Sequence, residues 1–217
     1  MDAKPQTEID PVDKFVRAGF EQRMQSQFRA PAIWVQSPDA LPTLKTMLGN
    51  RQPEYPYLFL YESGSSPNTE SYPTNRLARH GIPVTMNQDG KQFQTVKVLP
   101  TNFEVEVTYI TDKFQGNEDS VDFFKRRWWF TRRNGALNFG IDYGLSKLTV
   151  TSTLTDSLQI PKRENPAETE SVYTVTTNVT IHGWLSEALL MTRGRINQVV
   201  LADGPPPKPG EQFFPFN

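Results

Sequence analysis

Two strand-like stretches decide the fold, PTNFEVEVTYIT at 100–111 and VYTVTTNVTIHGW at 172–184. In the first, apolar residues alternate with glutamate and threonine from Phe103 to Thr108, and the second alternates in the same way. A period of two predicts strands with one buried and one exposed face. An amphipathic helix lies between them, so we expect a sheet with that helix packed on it. No residue pattern in this region indicates catalysis, which points to a protein that acts through the contacts of its surface.

The helix is predicted to span 117–133, with Asn117 as its cap. Acidic residues stand at its start and basic residues at its end, which complements the helix dipole. Aromatic residues among the basic ones also allow a second interpretation, in which the helix binds nucleic acid through phosphate contacts and base stacking. The formal net charge of −1 and the lack of a wider basic stripe favour the first interpretation, with salt bridges between subunits.

The same helix is predicted to divide its residues between two surfaces. Val121, Phe124 and Trp128 recur at helical spacing and predict a stripe packed on the chain's own sheet. Trp129 and Phe130 fall outside that stripe, so we expect them to face a neighbouring subunit or another partner. The candidate contact surface, named here the basic–aromatic flank, comprises Arg126, Arg127, Trp129, Phe130, Arg132 and Arg133.

Alternating helices and strands are also predicted in the N-terminal third. A helix over 10–25 is expected to be capped by Asp10. The apolar run Ala30–Val35 predicts a strand in the centre of the sheet. A second helix is predicted over Leu41–Leu48, ended by the glycine that follows, and Tyr55–Tyr61 predicts another buried strand.

The remaining segments are rich in proline and polar residues. The segment 62–99 is predicted to be a projecting excursion with a small hairpin at Met86–Thr95. The polar segment 157–171 predicts an exposed hairpin loop. We expect one domain at 1–203, followed by a proline-rich extended arm at 204–217. The predicted class is α+β, a mixed or antiparallel sheet with helices packed on one face, long projecting loops and an extended C-terminal arm.

Composition restricts the classes of function. The chain has 217 residues and no cysteine, which excludes disulfides and thiolate metal sites. Its apolar runs are too short to cross a membrane. The polar N-terminus, MDAKPQTEIDP, has no apolar signal-peptide core, so a soluble, non-secreted protein is expected. With a net charge of −1, no overall field attracts nucleic acid or an anionic membrane.

No catalytic or ligand-binding motif is present in the sequence. The two histidines, His80 and His182, are far apart, and His182 lies in an alternating strand, where we expect it to be structural. No HxH, HExxH, phosphate-binding glycine loop or GxSxG pattern occurs. We therefore expect no enzyme activity, no catalytic residues, no cofactor and no metal site.

The order of these elements resembles the tail terminator, or tail completion, proteins of contractile-tailed bacteriophages. Each matching piece is a pattern of strands and helices, and the ordered set extends from Phe28 to Leu185. The pieces are FRAPAIWVQSPDALPTLKTML, YPYLFLYESG with NRLARHGIPV, PTNFEVEVTYITDKFQGNEDSVDFFKRRWWF, and YTVTTNVTIHGWL.

The resemblance implies an α/β subunit of a virion that assembles, usually as a hexamer, into a ring. Such a ring caps the tail tube, stops its polymerisation and joins the tail to the head or neck. The implied partners are copies of the chain and tail tube, sheath and neck or baseplate proteins, with DNA passing only transiently. The implied location is the virion tail, assembled in the host cytoplasm.

The chain departs from the longest family members in its shorter C-terminal tail. Because related folds occur in other tail rings, the resemblance leaves a tail or baseplate ring at the opposite end of the tail as an alternative. A DNA-binding module that uses the basic and aromatic helix at 117–133 is the other alternative.

Overall fold

Strands dominate the computed structural model, which describes residues 7–49, 53–71, 75–85, 93–134, 136–167, 170–186 and 189–191. In chain order its elements are β1 (Thr7–Ile9), α1 (Val12–Phe28), β2 (Ala32–Val35), α2 (Ala40–Leu48), β3 (Tyr57–Pro67), α3 (Arg76–His80), β4 (Ile82–Thr85), β5 (Phe93–Val96), β6 (Leu99–Thr111), α4 (Val121–Arg133), β7 (Ala136–Tyr143), β8 (Ser146–Leu154), β9 (Lys162–Ala167), β10 (Glu170–Leu185) and β11 (Leu189–Met191). The α+β class predicted from the sequence is confirmed.

The main sheet has seven strands in the order β2-β3-β6-β10-β8-β7, with β9 paired to β10. Strands β2 and β3 are parallel and the other pairs are antiparallel, so the sheet is mixed as predicted. The two alternating stretches form β6 and β10, paired without interruption from Thr111 opposite Tyr173 to Leu99 opposite Leu185. The longest strand pair of the sheet is therefore the one that the sequence pattern predicts.

Strand β2 lies at an edge of this sheet, so its predicted central position is wrong. The side chain of Trp34 packs against the main core, and Ile33 and Val35 pack against the cluster that contains α2. An edge strand covered on both faces is as apolar as a central strand. The apolar run therefore reflects two covered faces and not two neighbouring strands.

Helix α1 lies inside the curvature of the sheet. The ring of Phe20 is 6.2 Å from Trp34 on β2 and 6.1 Å from Phe139 on β7. Since β2 and β7 are the two ends of the strand order, the sheet curls around this helix. The helix begins at Val12 and ends at Phe28, later at both ends than the predicted 10–25.

The start of α1 is capped differently from the prediction. Pro11 occupies the capping position and no side-chain cap is present there. Asp10 instead forms a salt bridge with Lys14 at 2.9 Å. The N–H group of Val12 donates to the Ser186 hydroxyl at 2.9 Å, so a residue distant in sequence satisfies the helix end.

Gly19 lies where α1 packs closely against β7. A Cβ atom at this position would lie 2.7 Å from Ile141 Cγ2 and 2.9 Å from Phe139 Cδ2, both in buried side chains. Glycine in a helix costs roughly 0.5–1 kcal/mol relative to alanine. Its presence here is explained by the close contact between helix and sheet.

Gly19→Ala is expected to lower the free energy of unfolding by about 1–3 kcal/mol, because overpacking outweighs the gain in helix propensity. Urea unfolding measures the change. The control is Ala18→Gly at the exposed neighbouring position, which should cost only the propensity difference of about 1 kcal/mol. A more stable Gly19→Ala variant would contradict this packing.

Helices α1 and α4 cover one face of the sheet and α2 packs on the other, so the prediction that the helices pack on one face is wrong. Side chains from α2 join Phe59 of β3 and Ile110 of β6 in a second, smaller cluster. The neighbouring residues Leu58 and Tyr109 point into the main core. Helix α2 ends at Gly49 as the sequence predicts.

The sequence predicts that the segment 62–99 projects from the main body. That prediction is wrong for its described strands, which pack on the rest of the fold. Strand β3 continues to Pro67, and β4 pairs with β5 in the predicted hairpin. Ile82, Val84 and Val96 are buried in the main core because the hairpin packs against the turn between β7 and β8. The backbone N–H of Leu145 in that turn donates to the Pro83 carbonyl at 3.1 Å.

The segment 157–171 forms a hairpin as predicted, because β9 folds back onto β10. The turn of the β4–β5 hairpin at 86–92 and the predicted C-terminal arm at 204–217 lie outside the described residues. A pairing that the sequence does not predict joins β1 to β11 at the two ends of the described chain.

Candidate interaction site on helix α4

Helix α4 begins at Val121, with Ser120 as its cap, and not at Asn117 as predicted. The Ser120 hydroxyl accepts a hydrogen bond from the Phe123 N–H at 3.1 Å, which satisfies one free donor of the first turn. Asp119 has a left-handed φ of 56°. The chain therefore cannot continue as a helix toward Asn117.

One side of α4 completes the core. Val121, Phe124 and Trp128 are fully buried, as the sequence predicts. The ring of Phe124 stacks on Tyr109 of β6 with centroids 4.7 Å apart. Trp128 stacks on Phe28 at the end of α1 with centroids 6.1 Å apart. These contacts fix the rotation of α4 about its own axis.

The neighbouring side of α4 presents two large aromatic residues to solvent. Trp129 is 42% exposed and Phe130 is 63% exposed. Their position outside the buried stripe is confirmed. Aromatic side chains are enriched at protein–protein contacts because they bury a large area. Together they give the helix an apolar surface that the described part of the fold leaves exposed.

Four arginines precede and follow these aromatic residues in the sequence of α4. Arg132 is the one with an ion pair among the described residues, to Asp156, and its guanidinium lies 5.8 Å from the Trp129 ring. Arg126 and Arg133 are exposed, and the described part of the chain provides no carboxylate partner for either. The flank therefore carries positive charge that the described fold does not neutralise.

A groove of about 400 Å³, named here the arginine groove, separates α4 from α1. Gln27 joins α1 to α4 across this groove, because the Gln27 amide donates to the Thr131 hydroxyl at 2.6 Å. The guanidinium of Arg127 lies 5.6 Å from the Phe123 ring at one wall. The lining residues are Arg23, Gln27, Phe123, Arg126, Arg127, Phe130, Thr131, Asn134 and Leu137.

The arginine groove is positively charged. None of the described residues that line it carries a carboxylate, and the buried Nε of Arg23 has no hydrogen-bond partner in the described part of the chain. The sequence pattern predicts Arg126, Arg127 and Phe130 as contact residues, but not Arg23 and Gln27. The latter two are spaced i, i+4 on α1, and only the packing of α1 beside α4 brings them to this site.

The histidine in β10 is structural, as predicted. His182 Nδ1 is 2.9 Å from Asn102 Oδ1, and His182 Nε2 is 2.9 Å from Thr153 Oγ1. Both ring nitrogens are therefore occupied by neighbouring strands. Among the described residues, no three His, Asp or Glu side chains cluster in a way that suits a metal ion. None of the helices described here combines the length and the apolar character needed to span a membrane.

One titratable group lies in the core beneath α4. The hydroxyl of Tyr109 is buried and has no hydrogen-bond partner within the described residues. Burial, with smaller contributions from Asp119 and Asp112, raises the pKa of Tyr109 far above its usual range. The folded protein therefore keeps a proton that the unfolded chain loses above about pH 10.

Stability is thus expected to fall as pH rises above about 10, since the unfolded state binds fewer protons there. Tyr109→Phe should weaken the dependence of the unfolding free energy on pH, because one fewer proton is released on unfolding. It should also raise the free energy of unfolding at pH 7 by about 1 kcal/mol, because it removes an unpaired buried hydroxyl. Urea unfolding at about pH 7 and pH 10.5 measures both effects.

Tyr143→Phe is the control for this prediction. The Tyr143 hydroxyl donates to the Asp10 carbonyl at 3.0 Å, so its removal should lower stability at pH 7 by about 1 kcal/mol. Burial also raises the pKa of Tyr143. If Tyr109→Phe destabilises the protein as much as Tyr143→Phe does, the Tyr109 hydroxyl has a partner and the prediction is wrong.

Searches for similar proteins found no family model and no curated protein that matches this chain.

Proposed function

We propose that this chain is a structural virion protein, a ring subunit at the terminator or neck position of a contractile phage tail. The proposal is supported by the resemblance described above and by the division of α4 into two sides. Its buried side completes the fold, whereas Trp129 and Phe130 remain exposed on the helix that also carries Arg126 and Arg133, for which the described residues provide no ion-pair partner. That division is the observation on which the proposal depends.

A ring subunit needs two different surfaces that meet when copies associate head to tail, and the rotation between copies must close the ring. The basic–aromatic flank supplies one such surface. The ring is proposed to be hexameric, to contact tail tube, sheath and neck proteins, and to assemble in the host cytoplasm. A net charge of −1 suits a channel through which DNA passes without being held.

Electron microscopy of the purified chain with tail tubes encoded by the same genome tests this proposal. We expect ring-shaped particles, and tubes that carry an additional ring at one end and stop growing there. If the ring decorates the baseplate end, the alternative of a tail or baseplate ring holds instead. A chain that forms no ring and joins no tube would overturn both versions.

The arginine groove favours a second candidate function, DNA binding by the helix at 121–133. Arg23, Arg126 and Arg127 line it together with the exposed ring of Phe130, a combination that suits phosphate contacts and base stacking. Binding to single- or double-stranded DNA that weakens with salt and is lost in an Arg126→Ala/Arg127→Ala variant would support this function. The absence of binding at low salt would exclude it.

A further inference from the structure

Part of the face of the sheet opposite α1 and α4, outside the apolar cluster under α2, is polar and acidic. On β6, Glu104 and Glu106 alternate with buried residues and therefore point away from the main core. Thr108 follows on the same side, with its hydroxyl 3.2 Å from the hydroxyl of Thr176 on β10. A row of threonines and glutamates thus covers the outer surface of the two central strands.

A second groove, of about 340 Å³, lies on this outer face where α2 begins. Asp39, Glu106 and Glu164 line it, and Lys162 is the one basic side chain among its described lining residues. None of the three carboxylates forms an ion pair within the described part of the chain. We name this feature the carboxylate groove.

Apolar side chains stand beside these carboxylates. Pro38 and Pro42 line the same groove and are exposed. The arginine groove has the complementary composition, with Arg23, Arg126 and the exposed ring of Phe130. Each groove thus combines an excess of charge of one sign with an exposed apolar element, and the two signs are opposite.

We propose that the arginine groove of one copy binds the carboxylate groove of a second copy. The inference rests on the proposed ring function and names the two surfaces that form its repeated contact. The contact joins two different surfaces on opposite faces of the sheet and is therefore heterologous, and each bound pair leaves one free groove of each kind for further copies. Opposite charges set the register, and apolar contact of Phe130 with the two prolines excludes water.

Two charge-reversed variants of the full chain test this contact. The first is Arg126→Glu/Arg127→Glu, which makes the arginine groove acidic. The second is Glu106→Lys/Glu164→Lys, which makes the carboxylate groove basic. We expect each variant alone to weaken self-association by about 100-fold or more, because like charges then face each other.

An equimolar mixture of the two variants is the decisive test. The acidic groove of the first variant meets the basic groove of the second, and the unchanged groove of each meets the unchanged groove of the other. Every contact in an alternating ring is then complementary, so the mixture should assemble like the wild type in sedimentation velocity. Far-UV circular dichroism and urea unfolding check that each variant is folded, and Arg126→Glu alone replaces the first variant if Arg127→Glu prevents folding.

The outcomes separate this inference from the proposed function. If the wild type assembles and both variants assemble equally well, the ring function stands and the contact is wrong. If only the arginine reversal disrupts assembly, the groove binds something other than the carboxylate face and the contact is again wrong. If the wild type neither self-associates nor joins tail tubes, the proposed function itself is overturned.

Discussion

Trp128→Ala is expected to lower the free energy of unfolding by about 3–5 kcal/mol. The Trp128 side chain is fully buried, and it stacks on Phe28 with ring centroids 6.1 Å apart. Its indole N–H points to the Thr155 carbonyl at 3.4 Å. Alanine at this position leaves a cavity where α4 meets α1, and urea unfolding followed by far-UV circular dichroism measures the cost.

Trp129→Ala is the matched control, because it removes the same side chain from the next position of the same helix. Trp129 is 42% exposed, so the loss of unfolding free energy should be smaller than about 0.5 kcal/mol. Equal losses in the two variants would contradict the assignment of the two sides of α4.

The second large effect concerns assembly. Trp129→Ala/Phe130→Ala is expected to weaken self-association by about 30-fold or more, since a central aromatic residue in an interface contributes roughly 2 kcal/mol or more. The two side chains are exposed in the single chain, so folding should be unchanged. Mass photometry of a dilution series gives the dissociation constant, and urea unfolding gives the stability.

Met47→Ala is the control for the assembly effect. Met47 is an apolar residue on the surface of α2 and is 52% exposed. Met47 belongs neither to the basic–aromatic flank nor to either groove, so its removal should leave the dissociation constant of self-association unchanged. If Met47→Ala weakens assembly as much as the double variant, contact is not specific to α4.

The elements with a strong local period could be predicted from the sequence. Alternation with a period of two identified β6 and β10, and helical spacing identified the buried stripe of α4. The same spacing placed Trp129 and Phe130 outside that stripe. The period of buried residues is a local signal, so it can be recognised in the sequence without knowledge of the neighbouring elements.

The start of α4 could not be predicted correctly because tertiary contacts decide it. Several polar residues between Asn117 and Ser120 are suitable caps by type alone. The Thr111 hydroxyl at the end of β6 donates to the Asp119 carbonyl, and Asp119 adopts a left-handed conformation. These two features select Ser120, and neither is visible in the sequence.

The candidate site was only half predictable for the same reason. The basic–aromatic flank is continuous in sequence, whereas the arginine groove also needs Arg23 from α1. The carboxylate groove likewise combines Asp39, Glu106 and Glu164 from three separate elements. The edge position of β2 and the packing of the β4–β5 hairpin also depend on which elements become neighbours, which periodicity does not encode.

Sedimentation velocity of the purified wild-type chain over a wide concentration range tests the proposed assembly most directly. We expect one closed oligomer, six subunits by the resemblance, that forms above a threshold concentration and does not grow further. A chain that remains monomeric at every concentration and also joins no tail tube, or one that forms an open series of ever larger species, would contradict the proposal that this protein acts as a ring subunit.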